Sequence, residues 1–361
     1  MRISSLSLRD FRNHEHLDLT FPAGVTTIIG RNGRGKTNIV EAINYLAILG
    51  SHRVSTDAPL IRHGKESAHV VATVVKDDRS ATIEIDINDN KTNQVQLNGA
   101  ALRRPRDILG LVHTVVFAPE DLDLVKGDPG TRRKYIDEFA TQLSPRLAGI
   151  RADFDKVLKQ RNALLKSAGR RTLNDSAKAT LDVWTEQFIA QAAQLTAARI
   201  DALSLLAPFV ESHGDAISAN TEALNISYSS KWLVENNSLE EQLRTALAQG
   251  FSDEIERGIT LVGPHRDDLL LELAGLPAKN FASHGQSWSV ALAMRLATFD
   301  VLRNHHDDPI LILDDVFAEL DARRRERLLT QLDGVEQTLI TAAVAEDVPE
   351  FLLEQTLVLE D

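Results

Sequence analysis

Two short segments near opposite ends of the chain carry residue types that together could hold a magnesium nucleotide. Gly30-Arg-Asn-Gly-Arg-Gly-Lys-Thr37 fits the pattern G-x-x-x-x-G-K-[ST]. Glycines at 30, 33 and 35 let the backbone turn tightly, so that successive N–H groups point at phosphate oxygens, and a helix starting there adds its dipole. Lys36 is expected to reach the β- and γ-phosphates, and the Thr37 hydroxyl to ligate Mg2+. Ile310-Leu-Ile-Leu-Asp-Asp315 is an apolar run that delivers two carboxylates at its end. Asp314 is expected to hold the magnesium ion, from a strand lying beside the phosphate-loop strand. Asp315 is then placed to polarise the water that attacks the γ-phosphate. Both Lys36 and Asp315 are therefore candidate catalytic residues, and ATP with Mg2+ is the implied ligand pair.

Neither segment works alone, so the fold must bring the ends of the chain together. Val25 to Ile29 is a β-branched apolar run entering the glycine-rich loop, and Ile39, Val40, Ile43 and Leu46 follow it at helical spacing. This strand–loop–helix context separates a phosphate loop from a chance match. Alternation predicts strands over 2–9 and 17–21, and again over 68–75, 81–87 and 94–97, the last three forming a small antiparallel sheet beside the core. Further strands are expected over 112–117, 224–228, 269–273, 310–313 and 339–343. Residues 147–164 and 181–209 have apolar positions at spacings of three and four, which predicts two long amphipathic helices joined around Gly169 to Asp175. A projecting antiparallel arm and a helical subdomain packed on the head both fit this pattern. Helices are also expected over 239–255 and 287–302.

The fold class is thus α/β, a phosphate-loop sheet with an antiparallel β-subdomain and a mostly helical second lobe. Residues 1–120 form the first part of an ATPase head, 121–258 the helical lobe and 259–361 the second part of the head. The 361 residues suffice for two or three such units. With no cysteine, disulfides and thiolate chemistry are excluded. No run approaches the roughly 18 apolar residues of a membrane helix, and no signal-peptide core opens the chain, so a cytoplasmic protein without membrane partners is expected. The net charge of −12 argues against featureless nucleic-acid binding. Any DNA contact must use local patches: Arg103-Arg104-Pro-Arg106, Arg132-Arg133-Lys134, Lys156 to Arg161, Arg170-Arg171 or Arg323-Arg324-Arg325 with Arg327.

Phe281-Ala-Ser-His-Gly-Gln-Ser287 stands just before a predicted helix, and by itself is little more than a cap with exposed N–H groups. Its place before the carboxylate strand resembles the S-x-G-Q signature of ABC-type ATPases. In that family Ser283, Gly285 and Gln286 would close on the nucleotide of a second subunit, and Glu319 and Asp321 would lie in the D-loop at the dimer interface. His284 fills the variable signature position, and Ser287-Trp288 stand where a basic residue is common. Transporter members place a histidine near strand 339–343, whereas this chain has Thr341-Ala342, so a γ-phosphate sensor there would be Thr341 or absent.

Leu8-Arg-Asp-Phe-Arg-Asn13, Lys36 to Ile43, Phe117-Ala-Pro-Glu-Asp-Leu122, Lys159 to Leu165, Gly263-Pro-His-Arg-Asp-Asp268 and Leu313 to Asp321 resemble the RecF family of SMC-like ATPases, over residues 2 to about 343. The resemblance implies a nucleotide-binding set of Arg12, Asn13, Gly30, Arg31, Asn32, Gly33, Arg34, Gly35, Lys36, Thr37 and Asn38. It implies slow ATP hydrolysis, an ATP-dependent homodimer and binding to double-stranded DNA near gaps or junctions. It also implies work with RecR and RecO to load RecA, in repair, replication, recombination and the SOS response. A transporter ATPase subunit is the alternative, but the helical insertion lies far from the usual coupling region and the N-terminal Arg12-Asn13 motif fits it poorly. Gly263 to Asp268 reads equally as a structural turn or as a site.

Overall fold

The computed structural model describes residues 1–168, 175–218, 222–234, 237–330, 332 and 334–359. Its centre is a parallel sheet of β3 (Gly24–Ile29), β8 (Thr114–Phe117), β12 (Ile310–Asp314), β13 (Gln337–Ala342) and β14 (Thr356–Val358), in the order β14-β3-β13-β12-β8. Every residue of β8, β12 and β13 is buried. Sheets covered on both faces select such unbroken apolar runs, which is why these strands do not alternate. One expectation is corrected here. β12 is not the neighbour of β3, because β13 lies between them. The intervening strand sets the phosphate loop and the carboxylates two strand spacings apart, about 10 Å.

The second sheet is antiparallel, with β1 (Arg2–Phe11), β2 (His14–Thr20), β4 (Ser67–Lys76), β5 (Arg79–Asn88), β6 (Gln94–Leu97) and β7 (Ala100–Ala101) in the order β2-β1-β4-β5-β6-β7. It is larger than the three strands expected beyond residue 67, because β1 pairs with β4 along its length. Alternation is clean: Ala68, Val70, Ala72 and Val74 of β4 and Ile83, Ile85 and Ile87 of β5 face one core with Ile39 and Ile43. Helix α1 (Lys36–Ile48) lies in that core, between the two sheets.

A second core gathers α2 (Leu122–Lys126), α3 (Pro129–Leu143), α8 (His284–His305), the other face of the parallel sheet and the last third of α5 (Asp175–Ser218). Helix α8 is buried along most of its girth from Ser287 to Leu302, so it is a core helix with both ends exposed. The first part of α5 packs with α4 (Leu147–Ala168) and α6 (Leu239–Arg257) around Phe154, Phe188 and Leu243 in a third core. Between the two long-helix readings the structure therefore chooses packing: Ala202, Leu203, Leu206 and Val210 of α5 are sealed into the head. The joint around Gly169, with Arg170 and Arg171, lies outside the described residues. A three-stranded sheet of β9 (Leu224–Ser229), β10 (Asp268–Leu273) and β11 (Leu276–Pro277) and the helical turn α7 (Ala278–Phe281) return the chain to the signature segment. Helix α9 (Ala322–Thr330) follows the carboxylates.

Helix α3 and strand β14 have no counterpart in the periodicity. Asp128-Pro129 does mark the start of α3, with proline in the first turn, where its missing N–H costs nothing.

Candidate nucleotide site

The phosphate loop adopts the conformation its glycines permit. Gly33 and Gly35 have φ of 86° and 92°, in the left-handed region. A Cβ on Gly35 would also stand 2.3 Å from His14 Nε2 and 2.5 Å from Asn13 Oδ1. The hairpin turn between β1 and β2 is thus pressed against the loop. Asn13 Nδ2 donates to the Gly33 carbonyl at 3.2 Å, and Asn38 Nδ2 donates to Asn13 Oδ1 at 2.7 Å. His14 Nε2 lies 3.1 Å from the Gly35 carbonyl, and burial holds its pKa below the ordinary value. Asn32, Gly33, Gly35, Lys36, Thr37, Asn38, Arg53 and Asp315 line an open cleft of about 340 Å³. Most of the residues proposed from sequence for the nucleotide are brought together here.

Arg12 is placed differently. Its φ is 55°, and its guanidinium forks onto Glu41 at 2.8 and 2.6 Å while donating to the Pro59 carbonyl at 3.0 Å. Glu41 is fully buried on α1. Burial raises its pKa, but the bonds from Arg12 and Ser51 outweigh burial and leave it below the ordinary carboxylate value. Arg12 therefore fixes α1 and the following loop. That loop carries Arg53, which donates to Asn38 Oδ1 at 3.2 Å and pairs with Glu120 at 3.4 Å. Neither Glu41 nor Arg53 shows in the sequence as a site residue, since their roles come from contacts between distant elements.

Lys36 is 4 % exposed, with its ammonium on the Gly30 carbonyl at 2.8 Å. Thr37 Oγ1 donates to Asp314 Oδ1 at 3.1 Å, across the parallel sheet. The strand in between supplies the clip: Thr341 Oγ1 donates to the same oxygen at 2.6 Å and accepts from the Asp315 backbone N–H at 3.0 Å. Thr341 is 1 % exposed and its hydroxyl is committed to the carboxylates, so it positions them and does not face the cleft as a phosphate sensor. Asp315 has φ of 52°, a strained conformation for a non-glycine residue, held by two bonds from its N–H to Thr341. Asp314 is raised to about 6, first by burial and also by its neighbours Asp315 and Glu120. A hydroxyl and a buried carboxylate crowded by other carboxylates form a hard-oxygen set that fits Mg2+, whose charge would relieve the crowding.

Ser283, Gly285 and Gln286 lie apart from this cleft, at the start of α8. Ser283 Oγ accepts from the Gln286 N–H at 3.2 Å, and Gln286 Oε1 accepts from the Ser283 N–H at 2.7 Å, a complete capping box. Gln286 Nε2 donates onward to Glu222. Arg324 links this end to the segment after the carboxylates: it donates to Ser289 Oγ at 2.9 Å, pairs with Asp321, and would touch a Cβ on Gly285 at 3.1 Å. Asp321 also caps the Arg324 N–H at 2.9 Å, while Glu319 is exposed.

Several basic clusters read as surface patches are internal. Arg132 forks onto Asp268 at 2.7 and 2.8 Å, and Arg133 donates to the Asp267 carbonyl at 2.7 Å. Arg161 is 1 % exposed and pairs with Glu254 at 2.6 Å. Arg325 donates to the Phe317 carbonyl at 2.7 Å, whereas Arg104 is exposed and pairs at the surface with Asp107 at 2.8 Å. Arg103, Lys156, Lys159, Arg323 and Arg327 remain exposed. The segment Gly263 to Asp268 resolves to a structural hub. Asp267, 2 % exposed, accepts from Tyr228 at 2.8 Å and Trp232 at 3.1 Å. Arg199 clamps Asp137 at 2.7 and 3.0 Å and donates to the Pro264 carbonyl at 2.7 Å.

Residues 2–352 match the RecF/RecN/SMC N-terminal domain family. A DNA replication and repair protein RecF of Streptomyces avermitilis is 49% identical over 358 residues, 97% of this chain and 95% of that protein. The corresponding RecF of Rhodococcus erythropolis is 48% identical over 375 residues, 98% and 92% of the two chains. The chain belongs to the RecF family. A solved RecF with ATP, described as a recombination mediator of the RecFOR pathway, superposes with a TM-score of 0.88 at 29% identity, covering 96% of this chain and 93% of that one. An Smc head from Pyrococcus yayanosii reaches a TM-score of 0.53 at 14% identity, which supports the ABC-type head fold alone. RecF membership disfavours the transporter-subunit alternative. No helix among the described residues is long and apolar enough to cross a membrane.

Proposed function

We propose that this chain is an ATP-operated clamp on DNA, closing as a homodimer when ATP binds and opening after slow hydrolysis. The carrying observation is the division of the site. The cleft contains the phosphate loop and Asp315, while Ser283, Gly285 and Gln286 stand outside it on α8 with their cap already formed. A second copy can supply that end to the γ-phosphate, with Glu319 and Asp321 at the same interface. The nucleotide set is Arg12, Asn13 and Gly30 to Asn38, of which Arg12 acts through Glu41.

Bound ATP would displace the Lys36 ammonium from the Gly30 carbonyl toward phosphate oxygens, a stronger, charge-assisted bond. Thr37 and Asp314 would hold Mg2+, which when bound neutralises phosphate charge. Asp315, fixed through Thr341, orients a water and accepts its proton. Aspartate is one methylene shorter than glutamate, which favours slow turnover. Residues 1–120 and 259–361 serve as the two parts of the head and 121–258 as the helical lobe. The family and its RecFOR relative support double-stranded, gapped DNA as the substrate surface, RecR and RecO as partners, RecA loading as the outcome, and a cytoplasmic setting. Arg103, Lys156, Lys159, Arg323 and Arg327 are exposed cations of the basic clusters that can meet phosphates.

The test is ATP-dependent binding to gapped duplex against plain single strands, with light scattering alongside. Gapped duplex should be preferred and the dimer should require ATP. Each phosphate neutralised should add roughly −0.9 to the log–log salt slope. A flat salt response, or dimers formed without nucleotide, would refute the clamp.

A further inference from the structure

The last basic residue of the chain is Arg327; everything after it is neutral or acidic. That tail builds β13 and then β14, which sits at the edge of the parallel sheet and pairs with β3 alone among the described strands. An edge strand leaves backbone donors and acceptors on its outer side without ladder partners, and proteins usually protect such edges with charge or cover. This edge has three large exposed apolar side chains in its vicinity in sequence: Val344 is 47%, Phe351 62% and Val358 63% exposed. Phe351 lies in the short helical turn Glu350–Leu352, which is tied to β3 because Thr27 Oγ1 donates to the Leu352 carbonyl at 2.7 Å. Glu350, Phe351, Leu353 and Glu354 line a shallow open depression there. Glu346, Asp347, Glu350 and Glu354 have no cationic partner among the described residues.

We propose that the β14 edge is a docking strand for a basic, extended peptide segment of another protein, with lysine or arginine alternating with apolar residues. Strand addition supplies main-chain hydrogen bonds, and alternate side chains face the apolar and the acidic parts of the surface. The apolar side chains of the segment would cover Val358 and Phe351, and its cations would meet Glu350 and Glu354. The same acidity repels nucleic acid, so the occupant is a polypeptide and this face is separate from any DNA-binding surface. The strand ends against the nucleotide loop: the Leu359 N–H donates to the Ile29 carbonyl at 2.9 Å, and a Cβ on Gly30 would lie 3.2 Å from Leu359 Cβ. A partner held here is thus attached to the strand that braces the phosphate loop, leaving the cleft open. The proposal does not depend on the clamp reading.

Fluorescence anisotropy of the full chain with a short labelled peptide of alternating lysine and valine tests it. That peptide should bind saturably, and at least about tenfold more tightly than either an alternating glutamate–valine peptide or a block peptide with its lysines and valines separated. N-methylating alternate residues removes the donors from one edge of the peptide. One of the two possible alternate patterns should abolish binding and the other should leave it. Val358→Asp and the double change Glu350→Lys with Glu354→Lys should each weaken binding about tenfold with ATP affinity unchanged, which also reports that the variants fold. Equal binding of the block peptide, indifference to both methylation patterns, or full affinity in both variants would overturn the proposal. So would an absence of binding, or a peptide displaced by duplex DNA.

Discussion

The nucleotide cleft and the hub around Gly263 to Asp268 both gather charged and polar residues, and they are finished to different degrees. In the hub each charge has its partner inside the chain: Arg199 forks onto Asp137, Arg132 forks onto Asp268, and Asp267 accepts from Tyr228 and Trp232. In the cleft Lys36 rests on a backbone carbonyl, and buried Asp314 is crowded by Asp315 and Glu120 while only hydroxyls donate to it. Buried charge that is fully paired fixes structure, whereas buried charge left short of a partner marks where a ligand completes the set. Motif density alone does not distinguish the two.

Perturbing the cleft should remove function and leave the fold. Lys36→Met is expected to lower ATP affinity by two orders of magnitude or more, about the cost of losing a charged donor in a preorganised site. Light scattering should then show monomer at any ATP concentration tried, and ATP-induced dimers would break the comparison. Asp315→Asn should slow hydrolysis by about 100-fold with ATP binding and dimerisation retained, as measured by single-turnover phosphate release against nucleotide titration.

Perturbing the hub should do the reverse. Arg199→Met leaves Asp137, 6 % exposed, without its main partner. The expected cost is about 3–5 kcal/mol in denaturant unfolding, with ATP affinity of the folded fraction unchanged. A pH series sharpens the point. Burial pushes His52, His113 and His265 down to about 4 from the ordinary 6.5. Between those values the unfolded chain takes up protons that the folded chain refuses, so stability is full above pH 6.5 and falls as pH drops toward 4. For His265 alone the limit is on the order of 3 kcal/mol, and His265→Gln should flatten the slope of unfolding free energy against pH; an unchanged slope would remove His265 from the hub's account. The smallest expected effect belongs to Thr341→Ala. Removing the clip on Asp314 and Asp315 should cost roughly tenfold in turnover, about one hydrogen bond to a charged group, with the fold intact.

Much of this was legible in residue order. The run Val25 to Ile29, the glycines of the loop and the spacing of Ile39, Val40 and Ile43 forced strand, turn and helix, because φ and side-chain periodicity are local properties. Ser283 and Gln286 specified their capping box for the same reason. Reading failed where the deciding contact was distant. Arg132, Arg133 and Arg161 look like solvated cations in sequence, and only the packing of α3 against β10 and of α4 against α6 delivers the Asp268 carboxylate, the Asp267 carbonyl and the Glu254 carboxylate that hold them. Helix α3 mixes buried Arg132, Asp137 and Gln142 with its apolar positions, so no apolar stripe announces it.

The sequence by itself determined that two half-sites exist and which chemistry each can perform, because glycine conformations, a lysine after them and carboxylates at a strand end are written in consecutive residues. Only the tertiary structure decided that β13 separates the halves, that Thr37 reaches Asp314 across it, and that Arg12 serves Glu41. It also decided that the last third of the long helix α5 is sealed into the head. Strand order and the pairing of buried charge depend on which surfaces exclude water together, and that is a property of the folded whole.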